Sequence, residues 1–271
     1  MILRIAITLI LLAPSLAAQA PAPAELINQL VANAEQYRST LPSLTADEVI
    51  ATEGSYLGMF KDHTSATGTM RVVRASPDAP LKESRQIVTL NGKPVDPKKP
   101  ATLPVVLYGG FGLFQDMFFT RQHIACFDFT LLPAPGPGGT LQLAVAGRSP
   151  EPSQCPDFFE TITGAVTLDP ATHQVVHFER TVPDKIANKA RLASFASVDS
   201  APVKVGETTF QLPTVVVARL NNGNIRGQFT AHYSNYHRYT ASITLLPGAT
   251  EVQDPTSPDP APTPPPSSTP R

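Results

Sequence analysis

The chain has no tryptophan, only two cysteines and few charges: 16% of its 271 residues are Asp, Glu, Lys or Arg. The low charged fraction excludes a polyelectrolyte-like disordered protein. A formal net charge of −1 excludes nucleic acid as the main partner. No apolar run reaches the ~20 residues that a membrane-spanning helix needs, so an integral membrane protein is not expected. What is abundant is proline, 29 residues, roughly twice the usual ~5% share. Proline interrupts the backbone ladder of a helix interior, which excludes a helical bundle or coiled coil.

The two ends read differently from the middle. Arg4, an apolar run over Ile5–Leu12 and the small residues Ser15, Ala17, Ala18 and Ala20 form the pattern of a secretory signal peptide over residues 1–20. Ser15 and Ala17 suit the −3 and −1 positions of a cleavage site; Ala20 is the other choice, disfavoured by Pro21. The expected location is therefore beyond the inner membrane, periplasmic or extracellular. Residues 251–271 (EVQDPTSPDPAPTPPPSSTPR) carry eight prolines and almost nothing apolar. Such a stretch cannot offset its ordering entropy by burial and is expected as a disordered, polyproline-II-like tail. It is either a solvated terminus or a spacer reaching an envelope protein. The ends hold Arg4 and Arg271 among the bases and Glu251, Asp254 and Asp259 among the acids, so the domain over residues 21–250 is formally neutral.

Within that domain one amphipathic helix is legible, Ala24–Ser39, with Leu26, Ile27, Leu30, Val31, Ala34 and Tyr37 at three- and four-residue spacing and Leu41-Pro42 as its stop. Beyond it the period falls towards two. Strands are expected over Leu44–Thr52, Ala66–Ala75, Leu81–Leu90, Leu103–Tyr108, His123–Leu132, Thr140–Ala146, Ile162–Leu168, Gln174–Val182, Arg191–Val205, Thr208–Leu212, Thr214–Leu220, Gly227–Tyr233 and Arg238–Leu246. Short turns such as Asn91-Gly92 and Asp169-Pro170-Ala171-Thr172 join them, which implies antiparallel pairing. The stretch 109–119 (GGFGLFQDMFF) breaks the pattern and fits a short helical plug leaning on a sheet.

Cys126 and Cys155, 29 residues apart in an exported chain, most simply form one disulfide. Catalytic patterns are missing. His173 and His177 have the spacing of a zinc pair on a helix, yet here fall in a turn and a strand, where four residues span ~13 Å. His232 and His237 flank a Tyr233–Tyr236 segment that a loop could close, but no cysteine or carboxylate adjoins them. Asp47 and Glu48, adjacent in a strand, point to opposite faces and cannot share a substrate. There is no G-x-S-x-G elbow and no phosphate-binding glycine loop. Neither a catalytic residue nor a metal or cofactor is assigned.

Three segments are more organised than their surroundings: Lys82–Val95 (KESRQIVTLNGKPV), Gly164–Arg180 (GAVTLDPATHQVVHFER) leading to Phe210-Gln211-Leu212-Pro213, and Tyr233–Tyr239 (YSNYHRY). Over roughly residues 40–248 they resemble an uncharacterised group of secreted bacterial proteins. The strand order of that group is similar to that of the periplasmic lipoprotein-sorting carriers of the LolA/LolB type. The resemblance implies a mainly β fold: a single curved antiparallel sheet, or half-barrel, wrapped round a helix plug. It further implies an apolar ligand, a lipid or acyl chain, bound without catalysis. The residues that would line such a concave face are Phe111, Phe114, Phe118, Phe119, Phe127, Phe129 and Phe178. An envelope scaffold tethered by the tail, and a hydrolase assembled from scattered residues, are the alternatives.

Overall fold

The computed structural model describes residues 23–56, 60–74, 81–96, 101, 103, 118–148, 155–222 and 225–239. The expected signal peptide, the tail, the strand residues 104–108 and 240–246, and the plug residues 109–117 lie outside them.

The first element, α1 (Pro23–Thr40), opens with proline at a position where the missing N–H costs nothing, carries Glu25 in its first turn and Arg38 in its last, and buries Leu26, Leu30, Ala34 and Tyr37 along one stripe. Among the described residues eleven strands follow: β1 (Leu44–Tyr56), β2 (Phe60–Val73), β3 (Lys82–Leu90), β4 (Lys93–Pro94), β5 (Phe127–Leu131), β6 (Leu141–Gly147), β7 (Thr163–Leu168), β8 (Val175–Thr181), β9 (Phe195–Val205), β10 (Thr208–Asn222) and β11 (Ile225–Arg238). A second helix, α2 (Asp184–Ala190), lies between β8 and β9. All strands join one antiparallel sheet in the order β4-β3-β2-β1-β11-β10-β9-β8-β7-β6-β5. Among the described residues the end strands β4 and β5 do not pair, and the sheet is not closed into a barrel. One of its edges is the two-residue β4, where Lys93 and Pro94 discourage further pairing. Helix α1 touches both halves of the sheet. Arg74 beyond β2 donates to the carbonyls of Arg38 and Ser39 at the helix end, while Asn33 donates to the His173 carbonyl in the β7–β8 turn at 3.1 Å.

Local chemistry sets the turns. Asn91 and Gly92 take positive φ (48° and 74°), as a two-residue hairpin with native twist requires. Between β7 and β8 the Asp169 carboxylate accepts from the backbone N–H of Ala171 (3.0 Å) and Thr172 (2.8 Å) and from the Thr172 hydroxyl (2.9 Å). The Thr172 backbone and hydroxyl bonds hold this carboxyl below the usual carboxylate range, with the Ala171 bond adding to them. A carboxyl with a lowered folded pKa contributes stability that is present above its unfolded value, near ~3.9, and is lost as pH falls through the folded value. Asp169→Ala is expected to lose on the order of 1 kcal/mol at neutral pH. The gap to wild type should close as the medium is taken below pH ~4. Urea denaturation at stepped pH values measures it; a gap independent of pH would contradict the assignment.

The sheet departs from the expected segmentation in four places. The chain does not extend at once from Arg191: α2 follows Pro183, and Arg191 takes the left-handed conformation (φ 56°) with its N–H returned to the helix carbonyls, so β9 begins only at Phe195. Seven residues are too few for helical periodicity to show. Residues 123–126 turn, with His123 and Ile124 N–H both directed to the Thr120 carbonyl, and β5 starts at Phe127. Thr208–Leu212 and Thr214–Leu220 are one strand. Pro213 is accommodated because the register slips between Pro213 and Val215, where its missing donor is not needed. Finally, Tyr233–Tyr236 is not a loop but part of β11. A bulge between Thr45 and Asp47 places Asn235 at φ 50°, its amide donating to Asp47 Oδ2 at 2.8 Å.

Candidate functional site

Period-two alternation sorts the strands into two faces. Along β1, Leu44, Ala46, Glu48, Ile50 and Thr52 are buried while Asp47 and Val49 are exposed. Followed across nine strands, the buried face gives an unbroken apolar row: Ala66, Ile50, Ala231, Val216, Val198, Phe178, Val166, Leu143 and Leu131. The buried stripe of α1 belongs to the same hydrophobic cluster. Burial of such a row is non-directional and needs only the right parity in each strand.

Five of the seven phenylalanines expected on this face are described, and they converge at the β5–β8 side. Phe118 is the hub, with ring centroids 6.4 Å from Phe119, 5.2 Å from Phe127, 6.0 Å from Phe159 and 4.8 Å from Phe178. Phe129, half-buried, meets Phe119 and Phe127, each at 6.4 Å. Phe111 and Phe114 lie outside the described residues. Sequence reading missed Phe158 and Phe159, which sit 5.0 Å apart, Phe159 tilted against Phe127 at 5.1 Å. The available signal was the cysteine pair. The Cys126–Cys155 disulfide ties the segment before Phe158 to the residue before Phe127, with the two Cα atoms 5.8 Å apart.

The same face also holds charge, which no apolar pattern announces. Glu48, 1% exposed, accepts from Arg85 Nε at 2.5 Å. Arg85 stands on β3 opposite Met70 of β2, and Glu48 on β1 opposite Gly68 of β2, so the pair reaches diagonally across the intervening strand. Burial draws the Arg85 pKa down, but the hydrogen bond and charge of Glu48 outweigh it and the net shift is upward. Tyr233 is the cross-strand neighbour of Glu48 on β11, and burial, with the Glu48 charge adding to it, pushes its phenol well up. Tyr236 is likewise raised by burial, with Tyr37 and Glu48 adding to it, and its hydroxyl donates to the Pro213 carbonyl. A second arginine, Arg180 on β8, is 8% exposed, donates to the Ala193 carbonyl at 2.9 Å and is drawn down to about 10 by burial. These groups orient and hold; none pairs a nucleophile with a base.

His173 and His177, read from the sequence as turn and strand residues rather than a ligand pair, have separate surroundings. His177 is engaged by Asp199 at 2.6 Å and Glu179 at 3.7 Å, whereas His173 is in the turn at φ 53°. Among the described residues no group of three or more His, Cys, Asp or Glu could hold a metal ion. Also among these residues, no helix is long and apolar enough to cross a membrane. Between α1 and the β9–β10 hairpin is a cavity of about 50 Å³, lined by Leu30, Asn33, Tyr37, Phe119, Val175 and Phe210 among others. It has room for a few waters, far below the ~300–1,000 Å³ of a typical ligand pocket.

Among the described residues the fold is thus a single antiparallel sheet, not closed into a barrel, carrying a helix on its buried face. Among solved structures the chain is similar to a domain assigned to the outer membrane lipoprotein-sorting proteins of Vibrio parahaemolyticus, at 11% identity over 79% of this chain and 93% of that one, TM-score 0.43. It is also similar to a DUF1329 family protein from Desulfovibrio piger, at 10% identity over 83% and 96% of the two chains, TM-score 0.41. A LolA superfamily protein from Nitrosomonas europaea matches at 10% identity over 80% and 94%, TM-score 0.33. No family model and no curated protein matches the sequence.

Proposed function

We propose that the protein is an exported binding protein that takes an apolar ligand, a lipid or acyl chain, on the helix-covered face of its sheet, without catalysis. The observation that carries this reading is the continuous apolar row across nine strands, in one hydrophobic cluster with the buried stripe of α1. The Cys126–Cys155 disulfide fits an oxidising compartment outside the cytoplasm. Because the described face is filled by the protein's own side chains, uptake requires α1 or the Phe118–Phe119 segment to move aside, and their groups supply the displaced apolar surface.

Native mass spectrometry after gentle extraction tests this. The protein should carry a lipid-sized adduct and should take up an apolar fluorescent probe in competition with fatty acid. A protein that is always empty and takes up no probe would refute it. The small 50 Å³ cavity favours a second reading, a rigid envelope scaffold, and that empty result is the one the scaffold reading expects.

A further inference from the structure

The opposite, solvent-facing side of the sheet carries a different feature: an open groove of about 630 Å³ where β1, β2, β10 and β11 run towards their hairpin ends. Two neighbouring cross-strand rows form its floor. In the first, His63, Glu53, Gln228 and Arg219 stand opposite one another and satisfy one another. His63 Nδ1 is 3.5 Å from Glu53 Oε1, and Arg219 donates to Gln228 Oε1 at 3.4 Å while lying 4.7 Å over the Phe195 ring.

The second row is Lys61, Ser55, Arg226 and Asn221. Here the Asn221 amide donates to Asp184, which with Glu53 is one of two acids lining the groove. Lys61 and Arg226 make no hydrogen bond or ion pair with any described residue. They flank Ser55, one strand on either side, which sets their backbones about 10 Å apart across a short hydroxyl. Two long cationic side chains can therefore fold over that hydroxyl onto one small anion. In this concavity the three cations Lys61, Arg219 and Arg226 face the two carboxylates Glu53 and Asp184, a formal excess of one positive charge in a chain whose net charge is −1.

We propose that this groove binds a phosphate group between Lys61 and Arg226, with the Ser55 hydroxyl as a third donor. A tetrahedral dianion accepts from all three directions: a point-charge ammonium, a forked guanidinium and a hydroxyl. The remaining volume is edged by Gln228, Ser194 and Asn221, whose side chains can hydrogen-bond the alcohol part of a phosphate ester. That ester is either a free small molecule or the headgroup of an anionic phospholipid. The site is on the face away from α1 and does not depend on the apolar ligand proposed above.

The test is titration of the ¹⁵N-labelled full chain with inorganic phosphate and then glycerol phosphate, beside sedimentation with phosphatidylcholine vesicles lacking or containing phosphatidylglycerol. Saturable shifts confined to the amides of Ser55, Lys61, Arg226 and their neighbours are expected. Binding should weaken at least about tenfold in Lys61→Ala/Arg226→Ala and in Ser55→Asp, and should persist in the control Lys204→Ala. Soluble esters alone giving the effect identifies a free ligand; phosphatidylglycerol-dependent sedimentation lost in the same variants identifies a headgroup. Silence in both arms, shifts scattered over the surface, or binding undiminished in the folded variants would overturn the proposal. Presence or absence of a lipid adduct on the native protein does not enter this outcome.

Discussion

Replacing Glu48 by alanine is expected to lower the folding free energy by about 3–5 kcal/mol, the usual consequence of leaving one half of a buried ion pair uncompensated. The Arg85 side chain is 6% exposed, so its guanidinium cannot recover its hydration when the carboxylate is removed. It retains the Phe229 ring, 5.3 Å from its Cζ, and the phenol of Tyr233, neither of which carries a compensating charge at neutral pH. The decisive comparison is with Glu48→Leu/Arg85→Met, which removes both charges and fills the space with apolar groups. That double variant should regain most of the lost stability, because desolvating the pair costs nearly as much as its attraction returns. Urea denaturation of the wild type and these two variants measures the difference. Equal losses in the single and double variants would show that packing, rather than charge compensation, governs this part of the face.

Phe118→Ala is expected to cost a further about 3–5 kcal/mol in its own right, by loss of transfer free energy and by the cavity left behind. The ring touches four other phenylalanines on three separate parts of the chain, so no single neighbour can collapse into the space. Phe118→Leu, which retains most of the volume, should cost less than half as much. The site also ties stability to the proposed ligand. A variant that opens the hub should take up the apolar probe more readily than wild type while melting earlier. Thermal and urea unfolding, run beside probe titration, check both parts. Near-wild-type stability in Phe118→Ala would mean that the cluster is not a packed unit.

Much of the architecture was legible because it is local. The stripe of Leu26, Leu30, Ala34 and Tyr37 predicts α1 to within a residue or two of its observed ends. Asn91-Gly92 and Asp169–Thr172 act through dihedral preference and side-chain-to-backbone hydrogen bonds that need no distant partner. The breaks in β10 and β11 were misplaced for the same reason. Proline at 213 and the Ser234-Asn235 pair are strong local breakers, but bulges in the sheet absorb both, and a bulge exists only when the partner strand is present. The short α2 was invisible to periodicity, and Phe158 and Phe159 acquire meaning only through the disulfide that brings their turn to β5.

By itself, then, the sequence determined the class: an antiparallel, turn-rich β domain with one amphipathic helix and a paired pair of cysteines, since proline content, alternation and turn chemistry each act over a few residues. It also determined that Glu48 and Asp47 face apart. Only the tertiary structure decided what each meets. Glu48 finds Arg85, 37 positions away, because β3, β2 and β1 are adjacent in the sheet. Lys61 and Arg226 come to flank Ser55 because β2 and β11 both pair with β1. Strand parity is written locally, whereas strand neighbours and register follow from the whole sheet closing its apolar face at once.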